Sequence, residues 1–274
     1  MSTLKERAII VNLTISLWGG RKQDRKVTRE VEEAHQAKDA GVVIKKLIRS
    51  TKLEMIQQVA NQLRIYHRDN SLPWSDNGDR IISNEGYFQY ITEIGQLKFR
   101  FNQLVDEFTK EYADLKDQAK RSLNTLYREQ DYPHEHEIKD KFGIKVSFMP
   151  IAEADDLRVQ MSDDMISSMK KQITSEIEDR IQNAIESLLE RIRKAVSHMA
   201  ETLADPDKKF HDTLVGNVQE LMETAPILNF VNDKHVNEVV KMLQPLIVDP
   251  EALRYDMPFR EDIAKKAKNI LENI

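Results

Sequence analysis

The chain has no cysteine, which removes disulfides, thiolate zinc sites and cysteine nucleophiles at once and fits a reducing compartment. Aromatic residues are scarce at 7% while charged residues reach 32%, a balance that favours long solvent-exposed helices over sheet. Long apolar runs are missing too. The longest, Ala8–Val11, falls far short of a membrane span, and nothing resembles the apolar region of a signal peptide. A soluble cytoplasmic protein is the expectation, and the sequon Asn12-Leu13-Thr14 has no meaning without secretion. There is no excess of positive charge: the formal net charge of -5 gives no overall attraction to nucleic acid or anionic membrane. GxSxG, HExxH, GxxxxGK[ST] and GxGxxG are all absent. Carboxylates are so numerous that spacing singles out no acid and base pair. The expectation is a protein that is not an enzyme, with no catalytic residue, cofactor or metal ligand to assign.

What the chain does have is two long amphipathic runs, Asn84–Leu126 and Ser162–Ala204. In the first, Tyr90, Ile94, Leu97, Phe101, Leu104, Phe108, Tyr112, Leu115, Ala119, Leu123 and Leu126 recur at a mean period of about 3.6, that of a nearly straight helix. In the second, Ile166, Met169, Ile173, Ile177, Ile181, Ala184, Leu188, Ile192, Val196, Met199 and Leu203 do the same, after Ser162, Asp163 and Asp164, which supply a cap and acidic charge for the helix start. A helix of roughly 40 residues is about 60 Å long. Two stripes of matching length and period suit an antiparallel helical hairpin, the alternative being two members of an ordinary bundle.

The remaining segments attach to these runs. Ala8–Leu17 alternates as a strand, with Ile9, Val11, Leu13, Ile15 and Leu17 on one face, and ends at the turn Trp18-Gly19-Gly20-Arg21-Lys22, read as a break with a solvated basic flank. Thr28 is placed to cap a short helix to about Asp39 that Gly41 closes. Residues 42–48 fit strand or helix equally well. Leu53, Ile56, Val59, Ala60, Leu63 and Tyr66 mark a clear helix, and Ser83 or Asn84 caps the first long run. Between the runs lie a short helix at Glu137–Phe142 and two alternating stretches, Ile144–Phe148 and Leu157–Met161. They read as an antiparallel pair that needs a further strand, for which Ala8–Leu17 is the candidate. Shorter helices follow at Phe210–Met222, Asp233–Leu243, Pro250–Tyr255 and Arg260–Ile274, the last suited to self-packing or to docking on a partner.

The expected fold class is mainly α with a small β element: a long antiparallel helical hairpin, a small α/β head and a C-terminal helical cluster. The expected organisation is an N-terminal α/β region at 1–83, the helical hairpin at 84–204 with a β-containing tip at 129–161, and a C-terminal helical region at 205–274.

Several clusters invite chemical readings. His134-Glu135-His136-Glu137 is ligand-dense but offers no third convergent ligand by spacing. Asp155-Asp156 and Asp163-Asp164 have the oxygen chemistry of a cation site, yet turn formation and capping explain them more cheaply. Basic residues concentrate near the N-terminus: Arg21, Lys22, Arg25, Lys26, Lys45, Lys46, Arg49 and Lys52, with Trp18 beside them, which suits nucleic acid only where intervening carboxylates allow it. Trp18, Arg21, Lys22, Lys26, Lys45, Lys46 and Trp74 are the candidate interaction residues.

Leu13-Thr14-Ile15-Ser16-Leu17-Trp18-Gly19-Gly20-Arg21-Lys22, Leu72-Pro73-Trp74-Ser75-Asp76-Asn77-Gly78, Asp131-Tyr132-Pro133 and Asp156-Leu157-Arg158-Val159 together form a pattern. It resembles a family of tailed-phage and prophage proteins of unknown function, over roughly Ile9 to Val159. The resemblance implies genes encoded beside a MoxR/CobS-like AAA+ ATPase and a von Willebrand A-type, CobT-like protein. It implies an adaptor, client or third component of an ATP-driven system in the host cytoplasm, and transfers no catalytic residue. The leading expectation is a non-enzymatic protein-interaction or scaffold protein. Nucleic-acid binding through the basic N-terminal region and a homo-oligomeric structural role are the alternatives.

Overall fold

The computed structural model describes residues 3–156 and 162–274; the expected strand at Leu157–Met161 lies outside them. In chain order the elements are β1 (Ala8–Ser16), β2 (Arg21–Gln23), α1 (Arg25–Ala34), β3 (Ile44–Lys46), α2 (Thr51–Asp69), β4 (Leu72–Pro73), β5 (Arg80–Ser83), α3 (Asn84–Leu123), β6 (Gly143–Met149), α4 (Asp163–Ala204), α5 (Thr213–Leu228), α6 (Lys234–Leu243), α7 (Pro250–Tyr255) and α8 (Met257–Leu271). The protein is mainly α with a small β element. Four strands form one sheet in the order β4-β5-β1-β6, and β2 and β3 form a separate ribbon. Among the described residues no helix is long and apolar enough to cross a membrane.

The strand at Ala8 pairs antiparallel with β5, Ala8 opposite Ser83 and Val11 opposite Arg80, and has β6 on its other side. The expected pairing of the N-terminal strand with 144–148 is therefore present. The ambiguous 42–48 segment contains strand. Several local expectations need correction. The first helix is capped by Asp24, whose Oδ1 accepts from the N–H of Lys26 and Val27 at 3.1 and 3.2 Å. Thr28 lies in its first turn, and the helix ends at Ala34 instead of Asp39. The physical reason is that the carboxylate at 24 already serves the free N–H groups of the helix start. The Glu137–Phe142 helix is a 3₁₀ turn at Lys139–Lys141. Ser162 precedes α4 without a side-chain capping bond, whereas Ser83 does cap α3, accepting from Gly86 N at 3.1 Å.

The chain forms two compact units, one of Met1–Asn12, His67–Ile91 and Ser147–Ile274, the other of Leu13–Tyr66 and Thr92–Val146. The chain passes between them inside β1, α2, α3 and β6. The first unit has the larger core: Trp74 and Ile81 from the strand region, and the second half of α4 with α5, α6 and α8. In α4, burial begins at Ala184 and continues through Leu188, Ile192, Val196, Met199 and Leu203, covered by α8 and α5; Ile166, Met169 and Ile173 are only half-buried. Arg260 of α8 is 4% exposed and donates to the carbonyls of Thr202, Leu203 and Lys208 at 2.9, 3.1 and 2.9 Å, so a cation sits where the helix dipole of α4 is negative.

The end of α2 in this unit is handled the same way. Arg80 donates to Arg68 O and Ser71 O at 3.1 and 2.7 Å, and Arg191 to Asp69 O and Ser71 O at 3.2 and 2.7 Å. Buried His67 shares a hydrogen bond with the Tyr90 hydroxyl at 2.7 Å. Burial, then the Arg80 charge, pushes its pKa down to about 4.

In the second unit α3 buries Phe101, Leu104, Val105, Phe108, Tyr112 and Ala119. Phe108 meets the rings of Trp18, Tyr112 and Phe142 at 6.2, 5.9 and 5.7 Å. Lys52 of α2 reaches Glu111 of α3 at 3.2 Å. Both long helices thus exist as expected. Within the second unit Trp18 and Phe142 pack on the α3 stripe at Phe108, and within the first α5 and α8 cover the later half of the α4 stripe. An apolar stripe specifies how much area must be covered, not by what.

Candidate interaction site

The resemblance-bearing residues of the second unit converge on the β2–β3 ribbon. Its register sets Arg21 opposite Lys46, Lys22 opposite Lys45 and Gln23 opposite Ile44. Like charges directly opposite one another destabilise a ribbon, and here carboxylates offset them. Asp131 accepts from Lys22 Nζ through Oδ1 at 2.8 Å and from Lys45 Nζ through Oδ2 at 2.6 Å. Lys45 also lies 3.4 Å from Asp24 Oδ2 and donates to Leu126 O at 2.8 Å. The side chains of Lys45, Asp24 and Asp131 are 4–5% exposed, and the four charges of the cluster cancel. Burial raises the Asp131 carboxyl, but hydrogen bonds from Lys22 and Lys45 hold it below the usual carboxylate range. The Val27 N–H, then Lys45, lowers Asp24.

The rest of Asp131-Tyr132-Pro133 continues this clasp. The Tyr132 hydroxyl donates to Leu47 O at 2.9 Å, and burial followed by the Asp131 charge pushes its pKa up to about 12, so it remains a donor. Tyr112 donates to Pro133 O at 2.9 Å. Upstream, Gly20 takes φ +60° and its carbonyl accepts from Leu47 N at 2.8 Å. A Cβ there would come within 2.7 Å of Leu53 Cδ2. Trp18 packs edge-on against Tyr112 at 5.8 Å.

Beside the clasp is a cleft of about 580 Å³ lined by every residue from Val43 to Leu47, by Arg49, and by Leu115, Ala119 and Leu123 of α3. The sequence candidates divide accordingly. Trp18 is half-buried in the aromatic cluster, Lys45 is buried and Lys22 is tied to Asp131. Arg21 and Lys46 are exposed, and Lys26 is exposed beside Glu30 at 3.7 Å. Trp74 belongs to the first unit, 4% exposed, with the Arg180 guanidinium 5.9 Å from its ring centroid. Its turn is fixed by Gly78 at φ +86° and by Asp79, which accepts from Asn12 Nδ2 at 3.0 Å.

The other clusters are small. His134 and His136 stack at 5.6 Å. Asp155 pairs with Lys170 at 2.9 Å. Among the described residues no three His, Asp or Glu side chains are grouped to hold a metal. Sequence reasoning missed Asp24 and the role of Asp131. For Asp131 the resemblance motif was a signal without a mechanism, and for Asp24 there was none.

Fold and site together define a mainly α protein with a small sheet and a charge-neutral clasp that fixes a two-stranded ribbon beside an open cleft. Over residues 5–249 the chain matches the family model described as "Protein of unknown function (DUF3150)", and it belongs to that family. No curated protein and no solved structure matches it.

Proposed function

We propose that this protein is a non-enzymatic interaction component, an adaptor or partner of a MoxR/CobS-like AAA+ ATPase in a phage or prophage system of the bacterial cytoplasm. What supports the reading is the use made of the motif residues. Lys22, Lys45, Asp24 and Asp131 neutralise one another, and Trp18, Tyr112 and Tyr132 are engaged in packing and in bonds to main-chain carbonyls. These groups shape a surface. The AAA+ partner rests on the sequence resemblance. Co-purification of the tagged chain with the ATPase encoded beside it tests the assignment; separate elution at micromolar concentration removes that partner.

Nucleic-acid binding is the second reading, and the exposed cations Arg21, Lys46 and Arg49 favour it. Its set is reduced because Lys22 and Lys45 are already paired with Asp131. Salt-dependent DNA binding lost on charge reversal at Arg21, Lys22 and Lys26 supports it. Light scattering separates either reading from a homo-oligomeric structural protein.

A further inference from the structure

The β2–β3 ribbon has a free edge, and it lies on the cleft. Val43 O accepts from Asp24 N at 3.0 Å and Leu47 N donates to Gly20 O at 2.8 Å, with Lys45 opposite Lys22 between them. Residues 43, 45 and 47 therefore turn main-chain groups toward β2, and by the alternation of an antiparallel ladder Ile44 and Lys46 turn theirs away. Among the described residues neither Ile44 nor Lys46 makes a main-chain hydrogen bond outside the ribbon. Every residue from Val43 to Leu47 lines the cleft, whose opposite wall carries Leu115, Ala119 and Leu123. Ile44 is 61% exposed. A row of unsatisfied main-chain donors and acceptors next to an apolar wall is the arrangement that receives an extended peptide as an added strand.

The charge at this edge selects the occupant. Lys46 and Arg49 both line the cleft, both are exposed, and neither has an ion-pair partner among the described residues. A second copy of the same edge would gather the unpaired Lys46 and Arg49 charges of both copies into one short strand pair, which opposes self-pairing. An acidic segment is complementary. We propose that the cleft beside β3 binds an extended segment of a partner protein, apolar at the residue facing Leu115 and Leu123 and acidic where it passes Lys46 and Arg49, paired with the main chain of Ile44 and Lys46. The proposal rests on the protein-interaction reading and names the surface through which it acts.

The probe is a short fluorescein-labelled peptide of alternating valine and threonine ending in two aspartates, titrated onto the full chain by fluorescence anisotropy. The expected result is saturable binding together with slowed amide exchange at Ile44 and Lys46. Ile44→Pro, which removes one edge N–H while leaving the bonds to β2, and Ser122→Trp, which fills the cleft from an exposed position, each weaken binding about tenfold or more. Both retain the wild-type circular dichroism spectrum. Lys46→Glu with Arg49→Glu reverses the preference toward a peptide ending in two lysines. No saturation at millimolar peptide, undiminished binding by Ile44→Pro, or displacement of the peptide by a single-stranded oligonucleotide that binds more tightly overturns the proposal. Failure here with retained ATPase co-purification removes this surface alone, whereas loss of co-purification alone removes the named partner.

Discussion

Lys45 is the residue on which the ribbon closes, because its ammonium contacts two buried carboxylates and bonds the Leu126 carbonyl. Removing one partner of a buried ionic group leaves the others uncompensated. Lys45→Met is therefore expected to lower the urea midpoint at least twice as much as Lys46→Met, whose side chain is exposed; equal effects contradict the clasp. At Gly20 the left-handed φ of +60° costs a residue with a Cβ about 1–2 kcal/mol. Gly20→Ala, whose Cβ would also meet Leu53 Cδ2 at 2.7 Å, is expected to lose at least that much while Gly19→Ala, with nothing within 4 Å of a Cβ, stays within about 0.5 kcal/mol of wild type. His67 gives a pH signature. Its folded pKa of about 4 lies below its ordinary 6.5, so the unfolded chain takes up the proton first as pH falls. Its contribution is fully present above about pH 6.5 and declines toward pH 4, a loss of about 2 kcal/mol between pH 7 and pH 5. Urea unfolding at those two pH values is expected to show that loss in wild type and not in His67→Gln; identical pH dependence in both sinks the assignment.

At the scale of elements, legibility in the sequence followed length. The helices α2, α3 and α4 were readable because apolar residues recur at helical spacing over many turns, and β1 because nine residues show a period of two. The ribbon strands are three residues each and charged, and β4 is two, so no periodicity can mark them. Asp24 was readable only as a charge, since its role depends on Lys45, which folding brings to it. Within α3 the burial pattern makes its own prediction. Phe108 is 0% exposed, so Phe108→Ala is expected to cost about 3–5 kcal/mol. Phe99, at 64% exposure, is expected to cost under about 0.5 kcal/mol as alanine. Gly95 lies in the helix with nothing within 4 Å of a Cβ, and Gly95→Ala is expected to stabilise by about 0.5–1 kcal/mol. Chemical denaturation of the three variants checks the set.

At the scale of the molecule, the two long stripes were a good guide to architecture. The resemblance motifs of the second unit meet around one ribbon although they lie far apart in the chain. That convergence gives the resemblance motifs a physical meaning: their residues hold β3 in place and leave its edge beside a cleft. The proposed role then depends on what the surface does to a partner. The most direct measurement is the ATP turnover of the MoxR/CobS-like AAA+ ATPase proposed as the partner, titrated with the full chain. The account predicts a change in rate that saturates with added protein and is reduced by Ile44→Pro; a rate unchanged at saturating micromolar protein contradicts it.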